Sequence, residues 1–248
     1  MTSQMFGYNI LGLGSEASNA NSPGKTNLES WWSLNETSGT RVDSHGSNDL
    51  ADGNTVLYGT GVRGNAADFE TSASEYLSIN DNASISVGDI DFTFCGWVKL
   101  ESDISPNIYG QYDFGNNQRS WKLSYDTTAD RFEFRVSNDG IAAVFELADN
   151  LGAASLATWY FVVVWHDATA NTINIQVNDG TVDSGAHATG VHNSTSPFFM
   201  GCQANSGSPA ATYYDGLVDE ACFFKAVLTS AERTWLYNGG NGRVYSEL

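Results

Sequence analysis

The sequence has few positive charges. Its 248 residues include 11 Lys and Arg against 29 Asp and Glu, which gives a formal net charge of −18. Proteins that bind nucleic acid or an anionic membrane need a cationic surface, so we expect neither partner. Charged residues are also scarce overall, at 16% of the chain against roughly one quarter in an average soluble protein.

Cysteines and long apolar runs are scarce as well. Cys95, Cys202 and Cys222 lie in apolar segments without CxxC spacing, which predicts buried free thiols rather than a metal or redox site. No apolar run approaches the roughly 18 residues of a membrane span, so we expect a soluble protein without membrane insertion. The first residues lack the basic stretch of a secretory signal, so an extracellular role has to be reached another way.

Aromatic residues, in contrast, are abundant. They make up 12% of the chain, enough to fill a large core, and this excludes an acidic disordered tail. Residues 1–27 are rich in Gly, Ser, Asn and Ala and predict an extended N-terminal arm or linker. Residues 28–248 show no internal boundary and predict a single domain, a size that β-sandwiches reach.

Short runs of β-branched and aromatic residues, bounded by turn-forming residues, predict strands. The twelve predicted strands are 28–34, 66–70, 75–79, 91–100, 107–113, 119–126, 131–137, 141–147, 159–167, 172–178, 196–202 and 216–224. Apolar and charged residues alternate in 131–137, which is typical of a half-buried strand, whereas 161–165 is apolar on both faces and predicts a central one. A capping box of Thr229 and Glu232 predicts one short C-terminal helix over 229–238.

Two turns predict antiparallel pairing of the strands beside them. Asn-Asp-Gly occurs at 138–140 and again at 178–180, and these residues tolerate the positive φ angles of tight hairpins. With almost no helix and sequential hairpins, the chain predicts an all-β antiparallel sandwich.

Five segments resemble, in this order, the concanavalin A-like, laminin G-type jelly-roll domain. They are 31–50, 61–79, 91–100, 159–180 and 213–242. The resemblance extends from about Leu28 to Asn241, and the ordered set is more specific than any one segment. It implies a two-sheet antiparallel jelly-roll sandwich that is commonly extracellular, often binds glycans or proteins, and often holds calcium.

Calcium ligands are implied by the same resemblance. In related β-glucanase sandwiches a carboxylate of the final strand holds structural calcium, which makes Asp219 the best candidate here. Asp43 and Asn48, in an oxygen-rich loop, offer the carboxylate and amide oxygens that calcium prefers. The alternative is an Asp219 that caps a turn or pairs with an arginine.

The carboxylates do not predict an enzyme. Retaining glycosidases on this scaffold use two carboxyl groups about 5 Å apart, in a Glu-x-Asp-x-x-Glu pattern or a close variant. The nearest fragment, 101–106, lacks the last Glu and enters a turn at Pro106. Asp219 and Glu220 are adjacent, and neighbouring side chains of a strand point to opposite faces, so we do not expect them to act as a pair.

Binding is therefore the favoured activity, and one stretch mixes aromatic with polar residues as sugar sites do. The predicted ligand-binding residues are Tyr109, Tyr112, Asp113, Asn116 and Trp121. Alternation places Trp121 on the same face as Leu123 and Tyr125, so part of this set is expected in the core.

Two functions remain open. The first is a non-enzymatic virion surface protein, a capsid decoration, fibre or tail component, whose arm attaches it to other virion proteins and whose domain binds host-surface glycans. Residues 239–243 resemble the ends of laminin G-like proteins encoded by marine bacteriophages, and a virion protein needs no secretory signal. The second is a bacterial extracellular carbohydrate-binding or adhesin module. Either reading places the chain at a virion surface or outside cells, and the sequence leaves self-association into a homo-oligomer open.

Overall fold

The computed structural model describes residues 20–104, 107–210 and 212–248, and these form an almost entirely β structure. The strands are β1 (Leu28–Trp32), β2 (Ala51–Gly53), β3 (Leu57–Thr60), β4 (Asn65–Phe69), β5 (Tyr76–Ile79), β6 (Phe92–Leu100), β7 (Asn107–Asp113), β8 (Gln118–Asp126), β9 (Arg131–Val136), β10 (Val144–Leu147), β11 (Trp159–Asp167), β12 (Thr172–Val177), β13 (Asp183–Ala186), β14 (Phe198–Met200), β15 (Ala204–Asn205), β16 (Ser208–Pro209) and β17 (Gly216–Phe224). One α-helix, α1 (Ser230–Tyr237), follows β17. Within the described ranges, no helix is long and apolar enough to span a membrane.

The strands form two sheets that pack face to face. The first contains β13-β12-β11-β6-β17-β4-β3, with β1 also paired to β17. The second contains β10-β9-β8-β7-β14-β5-β2, with the β15–β16 hairpin at β7. The pairing is antiparallel apart from one parallel bridge between Ala204 and Asp113. The predicted two-sheet antiparallel jelly-roll sandwich is confirmed.

All twelve predicted strands are present, with shifts of a few residues at their ends. The five that the sequence pattern missed, β2, β3, β13, β15 and β16, have two to four residues each and carry glycine, serine or exposed side chains rather than an apolar alternation. Such short segments have no strong intrinsic preference for the extended conformation, so hydrogen bonds to neighbouring strands hold them in the sheets.

Aromatic side chains fill the space between the sheets. Trp32, Phe94, Trp121 and Phe198 are buried, and their rings pack together; the centroids of Trp32 and Phe198 lie 5.5 Å apart. The three cysteines are also buried, as predicted, and form no disulfide in the structure.

Helix α1 covers the outer face of the eight-stranded sheet. The predicted capping box is confirmed: the Thr229 side chain accepts a hydrogen bond from the Glu232 backbone N–H, and the Glu232 side chain accepts one from the Thr229 N–H. Leu236 packs into a second apolar cluster with Trp97 and Phe161. In the described part of the chain no helix covers the nine-stranded sheet, so its outer face is open.

The predicted N-terminal arm falls mostly outside the described residues. Of its last part, Asn27 lies beside the domain, because its carbonyl accepts a hydrogen bond from the Lys225 N–H at 2.9 Å. The Lys25 ammonium lies 4.0 Å from the ring centroid of Tyr245. The arm and its attachment role remain predictions.

Candidate functional site

The open face of the nine-stranded sheet carries a row of side chains that runs across four strands. Gly110 of β7 lies opposite Lys122 of β8, Lys122 opposite Arg135 of β9, and Arg135 opposite Phe145 of β10. A Cβ at Gly110 would come within 2.7 Å of the Lys122 Cα, so glycine allows the two strands to approach here. The adjacent rings complete the row: Lys122 Nζ lies 5.0 Å from the Tyr112 centroid, and the Arg135 guanidinium 5.1 Å from that of Phe145.

A pocket of about 370 Å³ opens beside this row. It combines aromatic and apolar side chains with three cations and one amide. Its lining residues are Tyr112, Phe114, Arg119, Lys122, Arg135, Ile141, Ala143 and Gln203. Phe114 and Ile141 remain 39% and 54% exposed, so apolar surface is available to a ligand at the rim.

A second depression of about 250 Å³ adjoins the pocket and shares Lys122 and Arg135 with it. Its other lining residues include Ser124, Asp126 and Glu133, which supply hydrogen-bond acceptors and a hydroxyl group. The two depressions together form an extended polar surface on strands β8 and β9.

The cations of the site have different surroundings. Arg135 forms a two-pronged ion pair with the buried Glu133, with N···O distances of 2.8 and 2.7 Å. Lys122 donates to the Asn107 side-chain oxygen at 2.7 Å, and burial, followed by the charge of Arg135, lowers the pKa of Lys122 to about 8. Among the described residues, no carboxylate forms an ion pair with Arg119 or Lys122.

Two of the predicted ligand-binding residues lie in the core. Tyr109 and Trp121 are 0% and 1% exposed and pack against Phe94 between the sheets. Because these rings point away from the open face, a ligand on that face cannot contact them, and we correct the prediction for both.

Two further predicted residues brace loops at the edge of the pocket. The Asp113 carboxylate accepts hydrogen bonds from the backbone N–H groups of Gly115, Asn116, Ser206 and Gly207, at 2.7 to 3.2 Å. The Asn116 amide also donates to Asp113, at 3.1 Å. Both residues are outside the pocket lining, so the structure gives them a positioning role.

Only Tyr112 of the predicted set lines the pocket. The cations that sequence reasoning missed lie on the face opposite the apolar residues of β8 and β9. The alternation in 131–137 already separated Arg135 from Phe134, so the signal was present in the sequence. The overall excess of acids hides this local group of cations in the composition of the chain.

The residues predicted to bind calcium are divided between two places. Asp43 accepts backbone N–H bonds from Trp31, His45 and Asn48. The Asn48 side-chain oxygen accepts from Asn82 and Ser84. These oxygens face hydrogen-bond donors, which is a poor environment for a cation.

Asp219 fits a cation better. One of its oxygens accepts from the Arg63 N–H at 2.8 Å, and the other is buried without a partner among the described residues, as is one oxygen of Glu220. Burial raises the pKa of Asp219 to about 7 and that of Glu220 to about 9. Calcium at Asp219 stays a prediction.

The expectation that Asp219 and Glu220 point to opposite faces is wrong. A β-bulge interrupts the β6–β17 register between Asp219 and Cys222, and Glu220 takes a φ of 45°. Glu220 thereby accepts a bond from the Trp31 indole N–H at 2.5 Å, and its pKa is also raised by the Asp219 charge. Both carboxyls are buried, 0% and 2% exposed, so a substrate cannot reach them. That the chain is not an enzyme stays a prediction.

A third acidic group lies at the surface. Among the described residues, Asp68, Glu70 and Glu101 are the one set of three His, Cys, Asp or Glu side chains with candidate ligand atoms within 4.8 Å of one another. Glu101 is also paired with Lys99 at 3.0 Å. Carboxylates grouped in this way at a surface are common without a metal.

Comparison with known families gives one match. A laminin G-type model described as the concanavalin A-like lectin/glucanases superfamily matches residues 71–232, more than half of the chain. A comparison with curated protein sequences found no match.

Comparison with solved structures gives many matches to β-sandwich domains. The binding domain of Paraclostridial Mosquitocidal Protein 1 has a TM-score of 0.67 at 15% identity, over 87% of this chain and 53% of that one. Domain 4 of an extracellular arabinanase from Geobacillus stearothermophilus, in complex with arabinotriose, has a TM-score of 0.57 at 16% identity, over 89% of this chain and 100% of that one. The binding domain of botulinum neurotoxin DC, in complex with SialylT, has a TM-score of 0.63 at 12% identity, over 86% and 52%. The chain therefore spans about half the length of the toxin binding domains, and at these identities the likeness shows a shared fold.

Proposed function

The chain belongs to the concanavalin A-like lectin/glucanases superfamily, and from this premise we propose that it is a lectin-like module that binds carbohydrate at the pocket on its nine-stranded sheet. The observation that carries the proposal is the composition of this pocket. Exposed Phe114 and Ile141 stand beside the hydrogen-bonding groups of Arg119 and Gln203. Sugars present C–H faces that pack on apolar side chains and hydroxyl groups that need hydrogen-bond partners, so this mixture suits them.

The size of the surface also supports an oligosaccharide ligand. The pocket and the adjoining depression, of about 370 and 250 Å³, share Lys122 and Arg135 and therefore form one continuous surface. The arabinanase domain with arabinotriose and the neurotoxin domain with SialylT show that the shared fold accommodates saccharides in those proteins.

Glycan binding is tested with a glycan array probed by the protein in multivalent form. We expect binding to at least one oligosaccharide, and Phe114→Ala should weaken it, because the substitution removes exposed apolar surface from the pocket. Leu57→Ala is the matched control, since Leu57 is 53% exposed but lies on β3 of the other sheet. Silence across a broad array, or equal losses in both variants, would contradict the proposal.

We further propose that this domain is displayed on a bacteriophage particle, as a capsid decoration, fibre or tail component. Support comes from the resemblance of residues 239–243 to marine phage proteins, and from the charge of −18, which suits a crowded surface in salty water. The alternative is an extracellular adhesin of a bacterium. Immunogold labelling with antibodies against the domain separates the two, because label on virions supports display on particles and label confined to cell surfaces overturns it.

Attachment through the arm has its own test. Deleting residues 1–19 leaves Lys25 and Asn27 in contact with the domain, whereas deleting 1–27 would remove those contacts. We expect the shorter deletion to remain folded and to be lost from particles. Undiminished incorporation would show that the arm is not the attachment segment.

A further inference from the structure

The cations of this acidic protein are unevenly distributed. The chain has 11 Lys and Arg against 29 acids, yet strands β8 and β9 together carry four of the 11 cations. Three of them, Arg119, Lys122 and Arg135, line the proposed sugar pocket, and no carboxylate is among its lining residues. The pocket is therefore locally positive on a molecule that is strongly negative.

This positive charge is only partly neutralised. Glu133 forms an ion pair with Arg135, while Arg119 and Lys122 form none with the described carboxylates. Lys122 donates to the Asn107 side-chain oxygen at 2.7 Å and lies beside the Tyr112 ring, and the charges of Glu133 and Asp126 act on it without forming an ion pair. Arg119 and Lys122 thus carry charge that no ion pair with a described residue neutralises.

We infer that the pocket selects carbohydrates that carry an anionic group, a carboxylate or a sulfate ester on the sugar ring. The inference rests on the proposed sugar-binding function and specifies its ligand class. A guanidinium binds a carboxylate or sulfate through two parallel hydrogen bonds, and an ammonium adds a point charge. Here Arg119 supplies the two parallel hydrogen bonds, and Lys122 supplies the point charge. Phe114 and Ile141 supply the apolar contact for the sugar ring.

The position of Lys122 strengthens its electrostatic interaction with a ligand. It lies in the middle of β8, next to Arg135, and is partly buried by its neighbours. Charges interact more strongly where water is partly excluded. An anionic ligand that enters the pocket therefore gains more from Lys122 than from an exposed lysine.

Lys122 also gives the interaction a pH dependence. Burial and the neighbouring Arg135 lower its pKa from the usual 10.5 to about 8, while Glu133 and Asp126 oppose the shift. Lys122 is protonated below its pKa, so affinity for an anion should be full below about pH 7 and fall as the pH rises towards 9. The hydrogen bonds to Glu133 raise the pKa of Arg135, which keeps its charge, and burial raises the pKa of Tyr112, which stays neutral.

The test compares matched saccharides by isothermal titration. One pair is an oligogalacturonate and its methyl ester, which differ in the charge of the carboxyl groups and by one methyl group on each. A second pair is a sulfated and an unsulfated chondroitin oligosaccharide; both carry carboxylates, so this pair isolates the effect of the sulfate ester. We expect the more highly charged member of at least one pair to bind about tenfold more tightly or better, as a charged hydrogen bond predicts.

Variants assign the preference to the pocket. Arg119→Gln, alone and with Lys122→Met, should bring the affinity ratio of the anionic to the neutral saccharide close to one, because the positive charge of the pocket is removed. Arg135 is retained, because its removal would leave Glu133 buried without its partner. Arg63→Gln is the matched control, a cation outside the pocket whose loss should not change the ratio.

The outcomes separate the two proposals. Equal binding of the two members within both pairs overturns the anionic preference and leaves the sugar site intact, whereas binding of no saccharide overturns the sugar site itself. A single-stranded oligonucleotide is the last probe: binding as tight as that of the anionic saccharide would indicate an unspecific polyanion surface and overturn the inference.

Discussion

Trp121 and Lys122 are neighbours in sequence with different roles, because adjacent side chains of a strand face opposite sides. Trp121 is 1% exposed and contacts Phe94 and Phe198 in the core, while Lys122 lies on the open face and lines the pocket. An aromatic residue in a strand therefore indicates a binding site only when the face of the sheet on which its ring lies is known. Tyr109 and Tyr112 differ in the same way, because they are three positions apart on β7 and therefore face opposite sides.

At the residue scale we predict that Trp121→Ala acts on stability. Truncating a buried large aromatic side chain costs about 3–5 kcal/mol of unfolding free energy, because contacts are lost and a cavity remains. Denaturant unfolding measures the loss. Trp121→Phe is the control and should cost less, since the indole N–H has no hydrogen-bond partner in the described structure. If Trp121→Ala kept full stability but lost saccharide binding, Trp121 would have to be assigned to the ligand site and not to the core.

At the element scale, one carboxylate links two loops. Asp113 ends β7 and binds backbone N–H groups both of the β7–β8 turn and of the β15–β16 hairpin. Phe114 follows Asp113 and Gln203 precedes β15, so the elements braced by Asp113 also carry pocket residues. The sequence pattern places Asp113 in a predicted binding stretch, but only the fold shows that two of its hydrogen-bond donors lie about ninety positions further along the chain.

We predict that Asp113→Ala destabilises the protein and also weakens saccharide binding. Hydrogen bonds to a charged group contribute about 1.5–3 kcal/mol each, and four backbone N–H groups would lose their acceptor, so a loss of at least about 2 kcal/mol is expected. Unfolding curves and titrations with the saccharide identified on the array measure the two effects. Asp113→Asn keeps one acceptor oxygen, so its stability and its saccharide affinity should lie between those of Asp113→Ala and those of the parent protein. Unchanged stability in Asp113→Ala would contradict the bracing role.

The β17 bulge is a second feature of element scale. Simple alternation along 216–224 does not predict this bulge. The bulge adds one residue to β17 relative to β6, and Glu220 therefore lies on the same side of the strand as Asp219. Two buried carboxyls then share one side of the strand, each with an oxygen that lacks a described partner. Either a bound proton or a bound cation compensates such a pair.

Calcium is the cation that we propose for Asp219. If it binds, millimolar calcium should raise the melting temperature above that in chelator, because a ligand of the folded state stabilises by about 2.7 kcal/mol at a hundredfold excess over its Kd. Differential scanning calorimetry measures the shift, and Asp219→Asn should abolish it. Identical melting in chelator and in calcium would count against the site.

At the scale of the whole molecule, the sequence predicts the sandwich well and the distribution of charge poorly. Strands such as 131–137 and 159–167 have patterns that burial enforces, so their number and pairing follow from local chemistry. Alternation also suggests acids spread over loops and outer faces, but Asp43, Asp113, Asp219 and Glu220 are buried. Which cations meet on one face depends on the register of β7 to β10, which is set by contacts distant in sequence.

The net charge of −18 leads to the last prediction, a dependence of stability on monovalent salt. Like charges repel more strongly in the folded chain than in the expanded one, and salt reduces the range of this repulsion from about 30 Å at 10 mM to about 8 Å at 150 mM. We therefore expect the melting temperature to rise between these concentrations of sodium chloride, with chelator present to exclude calcium. Binding of an anionic saccharide should weaken over the same range, because the attraction of Arg119 and Lys122 is screened as well. A melting temperature that falls with salt would show that local ion pairs outweigh the net charge.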